Sequence, residues 1–138
     1  MADKTERDRN AFMFLGDIVT ESECLRLRLL GTTQANARWA LKIKEGDNLY
    51  LFNFDIGTVQ GPFLALSSAD CYDPNAWGGN FPVQVRMQST AFTRRSYIQR
   101  PNVPDVPVCL RRRRKSGDIT NDASELFSWL QQVGEPTE

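Results

Sequence analysis

The sequence predicts an α+β domain, a curved sheet or small β-barrel with helices packed outside it. Three observations carry that prediction. Short apolar runs of strand length crowd the middle of the chain, over residues 49–54, 59–66 and 81–88. Helix-capping signals stand near residue 20 and near residue 122, and they do not alternate regularly with the strands. A length of 138 residues suits one domain with a real core. The expected organisation is a disordered tail over 1–9, one domain over 10–134 and a second tail over 135–138.

Taken in order, residues 11–15 form a short apolar run that reads as a central strand ending at Gly16. In Thr20-Glu21-Ser22-Glu23 the Thr20 hydroxyl can accept from the N–H of Glu23, whose side chain reaches back. This capping box predicts a helix from Thr20 to Gly31, a suitable residue just past a helix end. Leu25, Leu27 and Leu29 also alternate with arginines as a strand would, and the caps decide for helix. Residues 35–43 carry good helix formers, with Trp39, Leu41 and Ile43 as an apolar stripe and Trp39 in the core. Lys44-Glu45-Gly46-Asp47 is turn chemistry, and the aromatic-rich run 49–54 reads as a buried strand. A turn at 55–58 leads into the strand 59–66, where Gly61-Pro62 implies a bulge or an edge position. The run 81–88 alternates Val83, Val85 and Met87 with Gln84, Arg86 and Gln88, as a half-buried strand does. Residues 91–100 are ambiguous. After Pro101, Pro104 and Pro107 a last short strand is expected over 106–110. Asp122 and Glu125 form a second capping box, opening a helix lined by Leu126, Phe127, Leu130 and Val133 with Trp129 near its edge.

Composition narrows the function classes. The chain contains no histidine, which removes Ser-His-Asp and Cys-His catalysis and the commonest transition-metal ligand. Cys24, Cys71 and Cys109 fit neither a disulfide framework nor a zinc pattern. No phosphate-binding glycine loop or nucleophile elbow is present. The carboxylates Glu21/Glu23 and Asp70/Asp73 are explained by helix capping and turn formation. The reading is therefore not an enzyme, with no metal and no cofactor. The opening MADKTERDRN resembles neither a signal peptide nor a transit sequence, and no apolar run is long enough to span a membrane. An intracellular protein is expected, cytoplasmic, or nuclear if eukaryotic.

The formal net charge of zero conceals an asymmetry. Residues 85–117 carry nine Lys/Arg against the single acid Asp105, and residues 118–138 carry five acids and no base. The basic side chains are Arg86, Arg94, Arg95, Arg100, Arg111, Arg112, Arg113, Arg114 and Lys115. Such a stretch is what a polyanion-binding face looks like, with a solvated loop or pairing to the acidic N-terminal half as the alternatives. Just before it, Asp73-Pro74-Asn75-Ala76-Trp77-Gly78-Gly79 delivers a large aromatic onto a turn. Tyr72 stands five residues earlier, so both rings can converge on one pocket and hold a planar base by stacking. The alternative is a Trp77 folded down as a lid on the core.

Several motifs together resemble the PUA-like superfamily of modified-nucleotide readers, and within it the plant development and cell death (DCD) domain. They are Leu29-Leu30-Gly31, Leu49-Tyr50-Leu51-Phe52-Asn53, Gly61-Pro62-Phe63-Leu64-Ala65-Leu66-Ser67, Asp73-Pro74-Asn75-Ala76-Trp77 and Phe81-Pro82-Val83-Gln84-Val85. The same layout is similar to the YTH domain, a reader of N6-methyladenosine in RNA, and to its EVE relatives. That resemblance implies a PUA-like (YTH/EVE/DCD-type) fold with Trp77 as a cage wall and Tyr72 in place of a second loop tryptophan. It also implies Glu23 as the acid at the base edge and a phosphate contact near Arg114. The remaining cage tryptophan falls near Thr33, where this chain has no aromatic, leaving Leu29, Leu30 or a moved Trp39 for that wall.

The combined expectation is a nucleic-acid-binding domain that reads a modified base, N6-methyladenine type leading. Its pocket is Trp77, Tyr72, Leu29, Leu30, Thr33, Glu23 and Asn53. Phosphate contacts come from Arg94, Arg95, Arg111, Arg112, Arg113, Arg114 and Lys115. Single-stranded RNA is favoured over DNA, and no membrane is involved. The alternative is a DCD-type protein-interaction module that docks an acidic partner.

Overall fold

Seven strands make one curled mixed sheet, described by a computed structural model over residues 9–98, 106–111 and 116–137. The strands are β1 (Ala11–Gly16), β2 (Leu29–Thr32), β3 (Asn48–Asn53), β4 (Thr58–Ala65), β5 (Val83–Tyr97), β6 (Gly117–Asp118) and β7 (Glu135–Pro136). The helices are α1 (Ile18–Leu27), α2 (Ala37–Ala40), α3 (Val108–Arg111) and α4 (Ala123–Val133). The sheet runs β2-β5-β4-β3-β1-β6, with β7 added on β5. The β1–β3 pair is parallel and the other pairs are antiparallel. This is the α+β curved sheet with flanking helices that the sequence predicts.

The continuous apolar runs of β1 and β3 have a simple cause: both faces of these central strands are covered. Phe12, Phe14, Leu49 and Leu51 face one core with Leu30, Phe63, Val85 and Trp77. Met13, Tyr50 and Phe52 face a second core with Leu126, Trp129 and Leu130 of α4. Burying each large side chain contributes about 1.5–3 kcal/mol, so these two layers dominate the stability. Trp39 lies half-buried on the first core, stacked on Phe12 at 6.2 Å and edge-on to Phe14 at 5.2 Å.

The expected bulge occurs where Gly61-Pro62 stands. The β4–β5 register shifts between Gly61 and Phe63, and the Thr93 hydroxyl donates to the Pro62 carbonyl at 2.6 Å. A Cβ on Gly61 would lie 2.5 Å from the Tyr50 ring, so that contact requires glycine. The ambiguous residues after 90 continue β5 as far as Tyr97.

Several expectations are corrected. Helix α1 begins at Ile18, capped by Asp17, whose carboxylate accepts from the N–H of Thr20 at 2.7 Å. It ends at Leu27, because Arg28 turns left-handed (φ 55°) and its N–H donates to the Cys24 carbonyl. Leu29 to Thr32 then form β2, paired with β5, so the Leu/Arg alternation was the true signal at that end. The helix expected over 35–43 shrinks to a 3₁₀ turn and the short α2. The strand expected over 106–110 is instead α3, opened by the Pro107 carbonyl accepting from the Leu110 N–H at 2.9 Å. Asp122 precedes α4 without a side-chain cap bond, and Trp129 is buried while Phe127 is only half-buried against Phe92. Residues 135–136, expected as tail, form β7. Residues 1–8 of the other expected tail lie outside the described residues. No helix among the described residues is long and apolar enough to cross a membrane.

Candidate functional site

The sheet curls until β1, next to the short end strand β6, reaches the β2 end without closing. β1 touches β2, but no ladder joins them, and α1 bridges the gap. A concavity of about 210 Å³ opens at this seam. Its wall is built from Leu15, Gly16 and Asp17 at the end of β1, and from Gly31, Thr32 and Thr33 at the end of β2. Thr20, Asn36, Phe54, Phe81 and Ser116 complete it. The volume is below the roughly 300–1,000 Å³ of drug-sized ligand pockets and suits one planar ring system.

Two aromatic rings face this space. Phe54 follows the last residue of β3 and remains 59% exposed. Phe81 is half-buried and meets Trp77 edge-on at 5.6 Å. Asp17 provides an acceptor at the rim. The backbone N–H of Thr20, and then its hydroxyl, hold the Asp17 carboxyl below its ordinary value, so it stays ionised at neutral pH. Asn36 is positioned by its amide, which donates to the Thr32 hydroxyl at 2.8 Å and to the Thr33 hydroxyl at 3.5 Å. Ser116, which follows the basic run 111–115 in the sequence, lines the concavity.

Of the expected pocket residues, Thr33 lines the seam and the others are placed elsewhere. Trp77 is 8% exposed, and its ring lies in the core behind Gly31 and Phe81. Its indole N–H donates to the Thr20 carbonyl at 3.2 Å, and its backbone N–H donates to Glu23 at 2.7 Å. Trp77 is thus a lid on the core and a floor beneath the seam, not an open wall. Its left-handed backbone (φ 52°) turns the side chain inward. Glu23 is spent on that turn and on Arg26, and these two hydrogen bonds, Arg26 first, keep its carboxyl below the usual range. Leu29 and Leu30 are buried in the same core. Asn53 is fully buried, donating to Glu21 at 3.1 Å and accepting from the N–H groups of Asp55 and Ile56. Tyr72 is half-buried, donates its hydroxyl hydrogen to the Ser68 carbonyl and lies under the Arg86 guanidinium at 4.6 Å.

Among the expected phosphate contacts, Arg94 donates to the carbonyls of Ala91 and Thr93, and Arg95 lies over Tyr97. Neither lines the seam. Arg111 ends α3, while its side chain and all of Arg112, Arg113, Arg114 and Lys115 lie outside the described residues.

Sequence reasoning missed Phe54, Asp17, Asn36 and Ser116, and used Phe81 only as a motif position. A signal existed for Phe54, an aromatic placed between a buried strand and an Asp-x-Gly turn. None existed for Ser116, which reaches the seam only through the β1–β6 pairing. Burial pushes the Cys24 thiol up to about 12 and the Cys109 thiol up to about 11, so neither supplies a thiolate near neutral pH.

Comparison with known proteins agrees with this architecture. The fold is similar to the apo crystal structure of the Toxoplasma CPSF4-YTH domain, with a TM-score of 0.58 and 15% identity. That match covers 94% of this chain and 89% of the other. A second similar structure is the YTH domain-containing protein mmi1 with RNA, with a TM-score of 0.47 and 10% identity, covering 100% of this chain and 77% of that one. The comparison with curated proteins gives no significant match. A family model described as the development and cell death domain matches residues 10–96, which take in β1 through all but the last residue of β5. With the curled sheet and the Trp77 turn both inside that span, the chain belongs to the development and cell death domain family.

Proposed function

We propose that this domain is a non-enzymatic nucleic-acid binder that takes one base of a single strand into the seam between β1 and β2. The observation that carries the reading is the seam itself, where two phenylalanine rings and an ionised carboxylate meet beside Ser116, the next residue in sequence after the basic run 111–115. Phe54 and Phe81 offer stacking surface, and Asp17 accepts from an exocyclic amino group. The run 111–115 neutralises phosphate beside the base. A single strand is favoured because extruding a base from a duplex costs a few kcal/mol more. RNA is favoured over DNA, and an N6-methylated adenine is the leading base. The fold shared with a YTH domain and the sequence resemblance to that reader support this choice.

Fluorescence anisotropy with labelled single-stranded RNA, with and without one N6-methyladenosine, tests the proposal. Affinity is expected to fall steeply between low and high salt. Phe54→Ala is expected to weaken binding of the methylated strand by about 1–3 kcal/mol. Because Phe54 is 59% exposed, the same change should move stability by no more than about 0.5 kcal/mol. Thr33→Trp supplies an aromatic where the YTH resemblance expects one, and should widen the preference for the methylated strand. Unchanged affinity in Phe54→Ala, with the fold intact, would remove the seam as the binding site. Binding to an acidic protein but to no RNA would favour the interaction-module alternative.

A further inference from the structure

A second crevice, about 310 Å³, lies between β5 and β7 and is lined by Arg95, Ser96, Tyr97, Glu135, Pro136 and Thr137. The Ser96 hydroxyl donates to the Tyr97 carbonyl at 3.0 Å, and the charged side chains are less fully engaged. Arg95 and Glu135 stand opposite each other in the β5–β7 register, yet no ion pair joins them. The guanidinium leans instead toward the Tyr97 ring, 5.7 Å from its centroid. Tyr97 is 44% exposed and has no aromatic neighbour among the described residues. The Thr137 hydroxyl oxygen is buried without a hydrogen-bond partner, a costly arrangement that a ligand or an ordered water relieves. A cation resting loosely on an exposed ring, a carboxylate that makes no ion pair with it and an orphaned hydroxyl thus line one opening.

We propose that this crevice is a second nucleotide site, selective for a base that carries an exocyclic amino group. The Tyr97 ring stacks the base and Arg95 holds the phosphate. Glu135 accepts from the amino group, as carboxylates do from the amino group of cytosine, and Thr137 gains its missing partner. The site rests on the reading that this domain binds nucleic acid, but it shares no residue with the seam. Both can serve one strand. Asn53, Thr58 and Tyr97 are successive register partners across β3, β4 and β5, and Phe54 follows Asn53. The two exposed rings therefore rise from one end of the sheet, their strands about 10 Å apart at ordinary strand spacing.

Amide NMR of the isotope-labelled full chain, titrated with cytidine 5′-monophosphate and then with uridine 5′-monophosphate, tests this site. Cytidine monophosphate is expected to shift the amides of Ser96, Tyr97 and Thr137, and to bind more tightly than the uridine nucleotide. Tyr97→Leu should weaken cytidine monophosphate about tenfold. Glu135→Gln, an exposed change that keeps the backbone pairing, should erase the preference for the cytidine nucleotide. No shift at these amides, shifts indifferent to Tyr97→Leu, or equal binding of the two nucleotides by the unaltered chain would overturn the proposal. Amides of Thr33 and Phe54 report the seam separately when N6-methyladenosine 5′-monophosphate is added, so failure at one site is distinguishable from failure at the other.

Discussion

Trp77→Ala should lower stability by about 3–5 kcal/mol, read as a reduced urea midpoint at unchanged slope. The ring is buried among Leu30, Val83, Val85 and Phe81, and its N–H is satisfied by the Thr20 carbonyl. Removing it leaves a cavity under the seam and strips the second donor from the helical Thr20 carbonyl. For a domain whose total stability is about 5–15 kcal/mol, that is a large fraction. Gly31→Ala attacks the same contact from the other side. A Cβ there would stand 2.5 and 2.7 Å from ring carbons of Trp77, an overpacking that costs about 1–3 kcal/mol. In the double variant the new methyl occupies space the indole has vacated, so its loss should be smaller than the sum of the two single losses. An unchanged midpoint in Trp77→Ala, with oligonucleotide binding abolished, would instead return Trp77 to the role of a pocket wall.

Gln84→Leu should cost about 3 kcal/mol, because this side chain organises the whole Tyr72-to-Phe81 loop. Its carbonyl oxygen accepts from the N–H groups of Tyr72 and Asp73, both at 2.8 Å. Its amide donates to the carbonyls of Asp73 at 2.8 Å and Phe81 at 3.1 Å. All four partners are backbone groups, and the residue is 1% exposed. Leucine fills the volume but leaves those groups without partners. Loss of hydrogen-exchange protection at Tyr72 and Asp73, ahead of global unfolding, is the expected signature. Protection equal to that of the parent chain would show that water replaces the glutamine. Gln84→Glu should cost at least as much as Gln84→Leu, since it sets a carboxylate oxygen against the Asp73 and Phe81 carbonyls in a buried site.

Gln84 also shows where pattern reading fails. The alternation of Val83, Val85 and Met87 with Gln84, Arg86 and Gln88 assigns the polar set to solvent, and Arg86 and Gln88 are indeed exposed. Gln84 is buried because the 70–81 loop folds over that face, pairing Asp70 with Gln84 through two backbone hydrogen bonds. Period two reports which face a residue occupies, not what a distant loop later lays on top of it. The same limit applies to Trp77. Its turn was legible from the proline and glycines around it, but the direction of its side chain was not. That direction depends on Glu23 and Thr20, which lie more than fifty residues away.

Local chemistry alone was enough for the β1 and β3 runs, the bulge at Gly61-Pro62, the C-terminal helix and the α+β class. Each of these follows from residues adjacent in the chain: apolar runs covered on both faces, a missing donor at proline, a helical stripe. The end of α1 and the helical α3 were decided by three-dimensional context. Arg28 takes a left-handed turn so that Leu29 and Leu30 can enter the sheet, where burial outweighs the helix that the caps favour. The seam belongs wholly to the tertiary structure. Asp17, Thr33, Phe54, Phe81 and Ser116 come from five separate stretches of chain and meet only because the sheet curls until β1 reaches β2. A binding surface of that kind is made by closure between remote segments, and no window of sequence contains it.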